Sequence, residues 1–310
     1  MLAPKHLGGL ARALILTVVV VAVPTATAQT STPSPAETAE SQSQPAEPNG
    51  SVPNPSPPPG QPPSQPPGTE TPTSQMENAE SGQPIDPKAM EALQRMGKYL
   101  ADMKTLMFNA RIFTEVVLDN EQKLLIGGKV MYMATPPDKL RVDLTTDSIT
   151  RQFFHNGNKF TMLAPRNGYF AEMEASQPTA EVLTQAAKDY GIEIPFADML
   201  EWGRKPETWA GIKEGFLVNS PMVNGQRTQH WAFRSENLDW EIWIKVGDQP
   251  LPLRISTVNT RDPSKPRFLA TLKWMEARQG SAAKFKPSTE KLKQIKFKKA
   301  EPNKPVESAQ

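Results

Sequence analysis

The sequence predicts an α+β fold: a curved antiparallel half-barrel of about eleven strands, covered by helices. Three observations lead there. Apolar and polar residues alternate over many short segments, as in Phe108-Asn109-Ala110-Arg111-Ile112 and Leu140-Arg141-Val142-Asp143-Leu144, the period of a half-buried strand. Short turn signals such as Asn156-Gly157 and Asn224-Gly225 separate these segments, which implies antiparallel neighbours. Apolar helical stripes before and within the strand series must cover one face of a sheet too large to stay flat. A flat sandwich is the competing fold.

The elements follow in order. Asp86 caps a helix and Pro87 suits its first position. Met90, Leu93, Met96, Leu100 and Met103 then recur at steps of three and four, giving one apolar stripe. After the strand at Phe108, Lys123 to Ala134 forms a second, with Leu124, Leu125 and Ile126 apolar on both faces. Val116, Leu124 and Ile126 are expected to face inward. Gly127-Gly128 marks a bulge or sharp bend, and Pro136-Pro137 stops the strand. Asn156-Gly157 turns a hairpin between Phe153 and Phe160, and Pro165 to Gly168 leads into Tyr169 to Met173. Thr179 to Tyr190 is a helix ended by Gly191, followed by a shorter one over Pro195 to Leu200. Strands resume over Phe216–Val223, Thr228–Arg234, Trp240–Val246, Leu253–Asn259 and Phe268–Glu276, with a last short one near Ile295 and Phe297.

Three flanking segments are not part of this domain, which spans 85–300. Residues 1–28 read as a secretory signal peptide: Lys5 and Arg12 precede the apolar run Ala13 to Val23, and Ala26-Thr27-Ala28 supplies a cleavage site. The run is too short to span a bilayer core, so no stable membrane span is expected after processing. Residues 29–84 hold fifteen prolines and six glutamates but no Lys or Arg. This is the composition of a disordered, extended spacer. Residues 301–310 are expected to be a disordered tail. The domain and tail carry 33 Lys+Arg against 27 Asp+Glu, with a lysine cluster from Lys284 to Lys299. An exported chain without a basic, aromatic-interleaved surface pattern is not expected to bind nucleic acid. Without cysteine there is no disulfide, thiol chemistry or cysteine-based zinc site. The predicted compartment is the periplasm of a Gram-negative-type bacterium.

No catalytic constellation stands out. G-x-S-x-G, H-E-x-x-H and a phosphate-binding glycine loop are missing, and neither a cofactor nor a metal is expected. Beyond the leader the histidines are His155, beside a hairpin turn where exposed polar side chains are ordinary, and His230, read as a hydrogen-bonded structural histidine. Trp243, between Glu241 and Lys245, is expected on the face opposite Trp240 and Ile242, as an exposed aromatic.

Several stretches taken together resemble a family of predicted periplasmic proteins of unknown function. They include Phe154-His155-Asn156-Gly157-Asn158-Lys159, Gly191 to Leu200, Asn224-Gly225 leading to His230, Trp240-Glu241-Ile242-Trp243-Ile244, Gln249 to Arg254, and Phe285-Lys286-Pro287 ahead of Ile295-Lys296-Phe297. The resemblance covers about residues 85–300. That family is similar in fold to the bacterial lipoprotein carriers LolA and LolB, half-open antiparallel barrels closed by helices around an apolar cavity. It implies export and a lipid-like ligand, and it brings no catalytic residues. The chain departs from the family at Phe154-His155, where an aromatic is usually followed by Asp, so no function is placed on His155.

The apolar supply supports a binding role. Phe108, Ile112, Tyr132, Phe160, Met162, Ile255 and Trp274 are expected to line an apolar interior, gated by helices around Leu183 and Leu200. Thirteen methionines supply adaptable apolar surface. The leading expectation is a non-enzymatic exported carrier or sensor for a lipid, an acyl chain or a lipoprotein. The alternatives are an envelope structural or regulatory protein with a filled core that binds another envelope protein, and an envelope-polymer hydrolase.

Overall fold

The computed structural model describes residues 85–276 and 282–300. The expected leader, spacer and tail lie outside these described residues.

Helix α1 (Pro87–Asp102) starts as the sequence predicts. Asp86 accepts from the Lys88 backbone N–H at 2.8 Å, and the buried stripe contains Leu93, Met96, Gly97 and Leu100. Strands β1 (Leu106–Val117), β2 (Lys123–Thr135), β3 (Lys139–Thr146), β4 (Thr150–His155), β5 (Lys159–Ala164) and β6 (Tyr169–Glu174) then form one antiparallel meander. A cover follows: α2 (Thr179–Tyr190) and two 3-10 turns, Ala197–Leu200 and Pro206–Trp209. The second meander contains β7 (Ile212–Asn219), β8 (Met222–Val223), β9 (Gln226–Ser235), β10 (Leu238–Lys245), β11 (Pro252–Asn259) and β12 (Arg267–Trp274). A 3-10 turn over Ala282–Phe285 and strand β13 (Lys293–Ile295) complete the chain.

The two meanders join where β1 pairs with β12. The strand order is β13-β6-β5-β4-β3-β2-β1-β12-β11-β10-β9-β7, with β8 hairpinned onto β9. The path therefore ends at β13 and β7 and stays open between them, and the cover connects β6, the neighbour of β13, to β7. This is the open, curved, helix-covered sheet that the sequence predicts.

The structure differs from the expectations in several places. The strand predicted over Phe216–Val223 breaks before Met222 at Ser220-Pro221, because proline cannot donate to the ladder. Strand β13 runs parallel to β6. The hairpin after β4 reverses about Gly157 and Asn158, one residue later than Asn156-Gly157. Gly157 has φ +92°, and the Asn156 side chain accepts from the Asn158 and Lys159 N–H groups. Gly127-Gly128 makes no bulge, since β1 and β2 stay in register through both. Glycine is needed at 128 because an added Cβ would lie 2.8 Å from the Thr145 carbonyl oxygen.

Leu124 and Ile126 do not enter the core. β12 pairs with β1 only as far as Thr114, and β3 pairs with β2 only from Gly128. Residues 115–126 therefore project as a two-stranded ribbon, with Leu125 65 % exposed near its tip. Elsewhere alternation holds. Phe108, Ala110 and Ile112 of β1, Val130 and Tyr132 of β2, Leu140 and Val142 of β3, and Ile242 and Ile255 of β10 and β11 all face one core shared with α1 and the cover. Full burial of each large apolar side chain there contributes about 1.5–3 kcal/mol.

Candidate functional site

The inner face of the sheet places all seven predicted lining residues against the core. Phe108, Ile112, Tyr132, Phe160 and Ile255 are fully buried, and Met162 and Trp274 are partly buried against them. They fall into separate groups. Phe108 stacks on Tyr132 at 4.8 Å and lies 4.9 Å from Trp274. Ile112 and Ile255 flank Ala270 in adjacent strands. Phe160 belongs to the β4–β6 wing, where Phe297 stacks on it at 6.1 Å. Met162 sits in the same wing, opposite Phe153. Leu183 of α2 and Leu200 of the first 3-10 turn are both buried in the same core.

The residue at the centre of the first group is one that sequence reasoning missed. Phe196 enters from the cover, edge-on to Phe108 at 5.2 Å and to Tyr132 at 6.4 Å. Its backbone is left-handed, with φ +65° and ψ +18°. That conformation costs a non-glycine residue roughly 1–2 kcal/mol, and such strain persists only where the surroundings enforce it. Nothing in Pro195-Phe196-Ala197 announces it. A second aromatic group, also unforeseen, joins cover to sheet: Trp202 packs near Trp209, Trp209 near Trp240, and Trp240 on Phe233.

The interior is apolar but not free of polar atoms. The Tyr132 hydroxyl and the indole N–H groups of Trp202, Trp231 and Trp240 are buried with no hydrogen-bond partner among the described residues. A buried donor left unpaired costs about 1–3 kcal/mol. Burial, and after it the charge of Asp198, pushes the Tyr132 pKa up, so its proton stays on.

His155 departs from its expected exposure. It is fully buried at the root of the cover. Its Nε2 lies 3.0 Å from the Ala175 carbonyl oxygen and its Nδ1 2.8 Å from Thr179 Oγ1. The carbonyl can only accept, so Nε2 carries the proton and Nδ1 accepts from the threonine hydroxyl. Burial lowers the His155 pKa. The Ala175 hydrogen bond and Asp138 oppose this shift, and Lys139 adds to it. The unfolded chain therefore binds this proton more readily than the folded one. The stability tied to neutral His155 should be intact above the ordinary histidine pKa of ~6.5 and fall as pH drops below it. Urea midpoints measured from pH 7.5 to pH 5 should decline in the wild type. They should decline less steeply in His155→Gln, and equal slopes would refute the assignment.

His230 is hydrogen-bonded as expected, to Asn219 Oδ1 at 3.3 Å and Glu241 Oε2 at 2.9 Å. Its hydrogen bond is the main cause, ahead of that from Arg267, of a lowered Glu241 pKa. Trp243 does lie on the outer face, but it is buried. His230 stacks on it at 3.8 Å and the Arg254 guanidinium sits 5.5 Å from its ring. Ser256 Oγ accepts from Arg267 at 2.7 Å. Among the described residues no group of three or more His, Asp or Glu is arranged to hold a metal.

The family is decided by the sequence over this same domain. Residues 89–298 match the model of the predicted periplasmic protein family DUF2092. The chain belongs to that family. Its periplasmic location follows, and no described helix is long and apolar enough to cross a membrane. No curated protein matches the chain in sequence. Among solved structures it is similar to an uncharacterized conserved protein from Thermus thermophilus, at 12 % identity, TM-score 0.40, covering 67 % of this chain and 99 % of that one. It is also similar to the Mycobacterium tuberculosis lipoprotein LppX, at 11 % identity, TM-score 0.40, covering 63 % and 98 %. A LolA superfamily protein from Nitrosomonas europaea matches at 11 % identity, TM-score 0.34, covering 64 % and 97 %. Likenesses this distant transfer neither ligand nor activity to this DUF2092 protein.

Proposed function

We propose that this DUF2092 protein is a non-enzymatic periplasmic carrier or sensor that holds a lipid, acyl chain or lipoprotein anchor on the inner face of the half-barrel. Phe108, Ile112, Tyr132, Phe160, Met162, Ile255 and Trp274 line the site, and the cover around Leu183 and Leu200 is its gate. The observation that supports this reading is Phe196, an aromatic ring from the cover held at the centre of the site by a left-handed backbone. An apolar chain that displaced the ring would take over its contacts and release the backbone strain. Each buried methylene would contribute ~0.8 kcal/mol. The buried donors on Tyr132, Trp202, Trp231 and Trp240 would meet the ester or amide oxygens of such a ligand.

Met162→Glu tests this reading. Met162 is only partly buried, at the wing of the site, so a carboxylate there should reach water. The variant should fold with a melting temperature close to the wild type's and lose uptake of a fluorescent fatty acid. A variant that folds and still takes up the probe would refute this reading. A second reading, a filled-core protein that binds another envelope protein, draws on the apolar ribbon ending near Leu125. A folded wild type that takes up neither fatty acid nor lipopeptide would decide for it.

A further inference from the structure

The outer face of the sheet carries a second arrangement that the inner site does not use. In β1 the outward residues run Met107, Asn109, Arg111. The register sets Met133, Met131 and Lys129 of β2 directly opposite them on one side. On the other side Lys273 and Thr271 of β12 face Asn109 and Arg111, and the Met275 N–H donates to the Met107 carbonyl at 2.9 Å. The face is therefore graded over about 14 Å of strand. At one end is a row of methionines, Met275-Met107-Met133. At the other, Arg111 and Lys129 stand side by side, with Lys273 diagonal to Arg111. Phe285, 5 % exposed, closes the methionine end where the Lys284 carbonyl accepts from Arg141. These residues line an open groove of about 1790 Å³.

Two features need a cause. Like charges directly opposite on one face of a sheet repel, yet Arg111 and Lys129 face each other, and neither they nor Lys273 form an ion pair among the described residues. The acids bordering the groove are Asp143, held by Arg141 at 2.8 Å, and the exposed Glu276. Half-buried Met107, Met131 and Met275, with the buried Met133, form the adjoining floor. Their flexible, polarisable side chains suit an apolar chain of no fixed shape. The three cations would complement an anion at one end, and the methionine row, bordered by Lys104 and the paired Arg141, suits an apolar tail at the other.

We infer that this outer groove binds a single-chain amphiphile with an anionic head group, its tail on Met107, Met131, Met133 and Met275 and its head on Arg111, Lys129 and Lys273. The site lies on the opposite face from the proposed carrier site and stands or falls without it.

The test uses the full mature chain and oleoyl lysophosphatidylglycerol below its micelle concentration. Oleoyl lysophosphatidylcholine and glycerol phosphate are the head-group and tail controls. By calorimetry the anionic lipid should bind at least tenfold tighter than the zwitterionic one, and glycerol phosphate should not compete. Lys129 and Lys273 are exposed, so Lys129→Glu/Lys273→Glu should fold normally and lose at least tenfold in affinity. Bound lipid should protect Met131 and Met275 from peroxide oxidation in the wild type and not in the double variant. Equal affinity for both lipids, glycerol phosphate binding as tightly as the lipid, an unaffected double variant, or protection of Met162 without Met131 would each overturn the proposal. Loss of inner-site uptake in Met162→Glu leaves these outcomes unchanged, so the two sites are separable.

Discussion

Gly203→Ala should destabilise the domain by about 4 kcal/mol or more, a loss at the extreme of single substitutions. Gly203 sits in the cover with φ +73°, and a Cβ built there would lie 2.1 Å from the carbonyl carbon and 2.2 Å from the carbonyl oxygen of Gly97. Those are backbone atoms of α1, so no side chain can swing aside. The reverse view is as tight: a Cβ on Gly97 would meet Gly203 at 2.9 Å. Helix and cover thus touch backbone to backbone at this pair. Gly225→Ala is the control. It has the same φ of +73°, with nothing within 4 Å of the added Cβ, and should cost only the conformational penalty of roughly 1–2 kcal/mol. Chemical unfolding of the two variants separates clash from backbone strain. Similar losses at both positions would show that the cover does not rest on α1 as described.

Phe196→Gly should open the half-barrel. Removing a buried phenylalanine ring costs about 3–5 kcal/mol when the void persists. Glycine at this left-handed position returns roughly 1–2 kcal/mol of backbone strain, so the net loss should be smaller than for Phe196→Ala. The vacated space lies between Phe108, Tyr132 and Phe268. A fluorescent fatty acid should bind the variant more tightly than the wild type, and saturating fatty acid should raise its melting temperature, because a ligand that binds only the folded state stabilises it. A destabilised variant that neither binds the probe nor gains stability from it would remove the carrier reading.

The inner face was legible because strand alternation is a local signal. Once Phe108 is placed inward, Ala110 and Ile112 must follow, and the register carries the choice to Tyr132 and Trp274. The same rule placed Trp243 on the outer face but could not say whether it was covered. Its burial depends on His230 and Arg254, which reach it from neighbouring strands. Leu124 and Ile126 failed for a related reason. Alternation tells which way a side chain points, and only strand lengths and registers tell whether anything lies there. Phe196 left no local trace, since its φ is imposed by the packing around it.

The chain's composition and periodicity determined the helix at Pro87, nearly every strand and the choice of inward residues, because each depends on near neighbours along the chain. The tertiary structure decided what depends on distant segments meeting. It joined β1 to β12 and left the sheet open between β13 and β7. It set Gly203 against Gly97 and Phe196 edge-on to the stacked pair Phe108 and Tyr132. It also lined up methionines and cations from β1, β2 and β12 on the outer face. None of these pairings has a sequence period, because contacts between strands are fixed by register and by the space left once the core has closed.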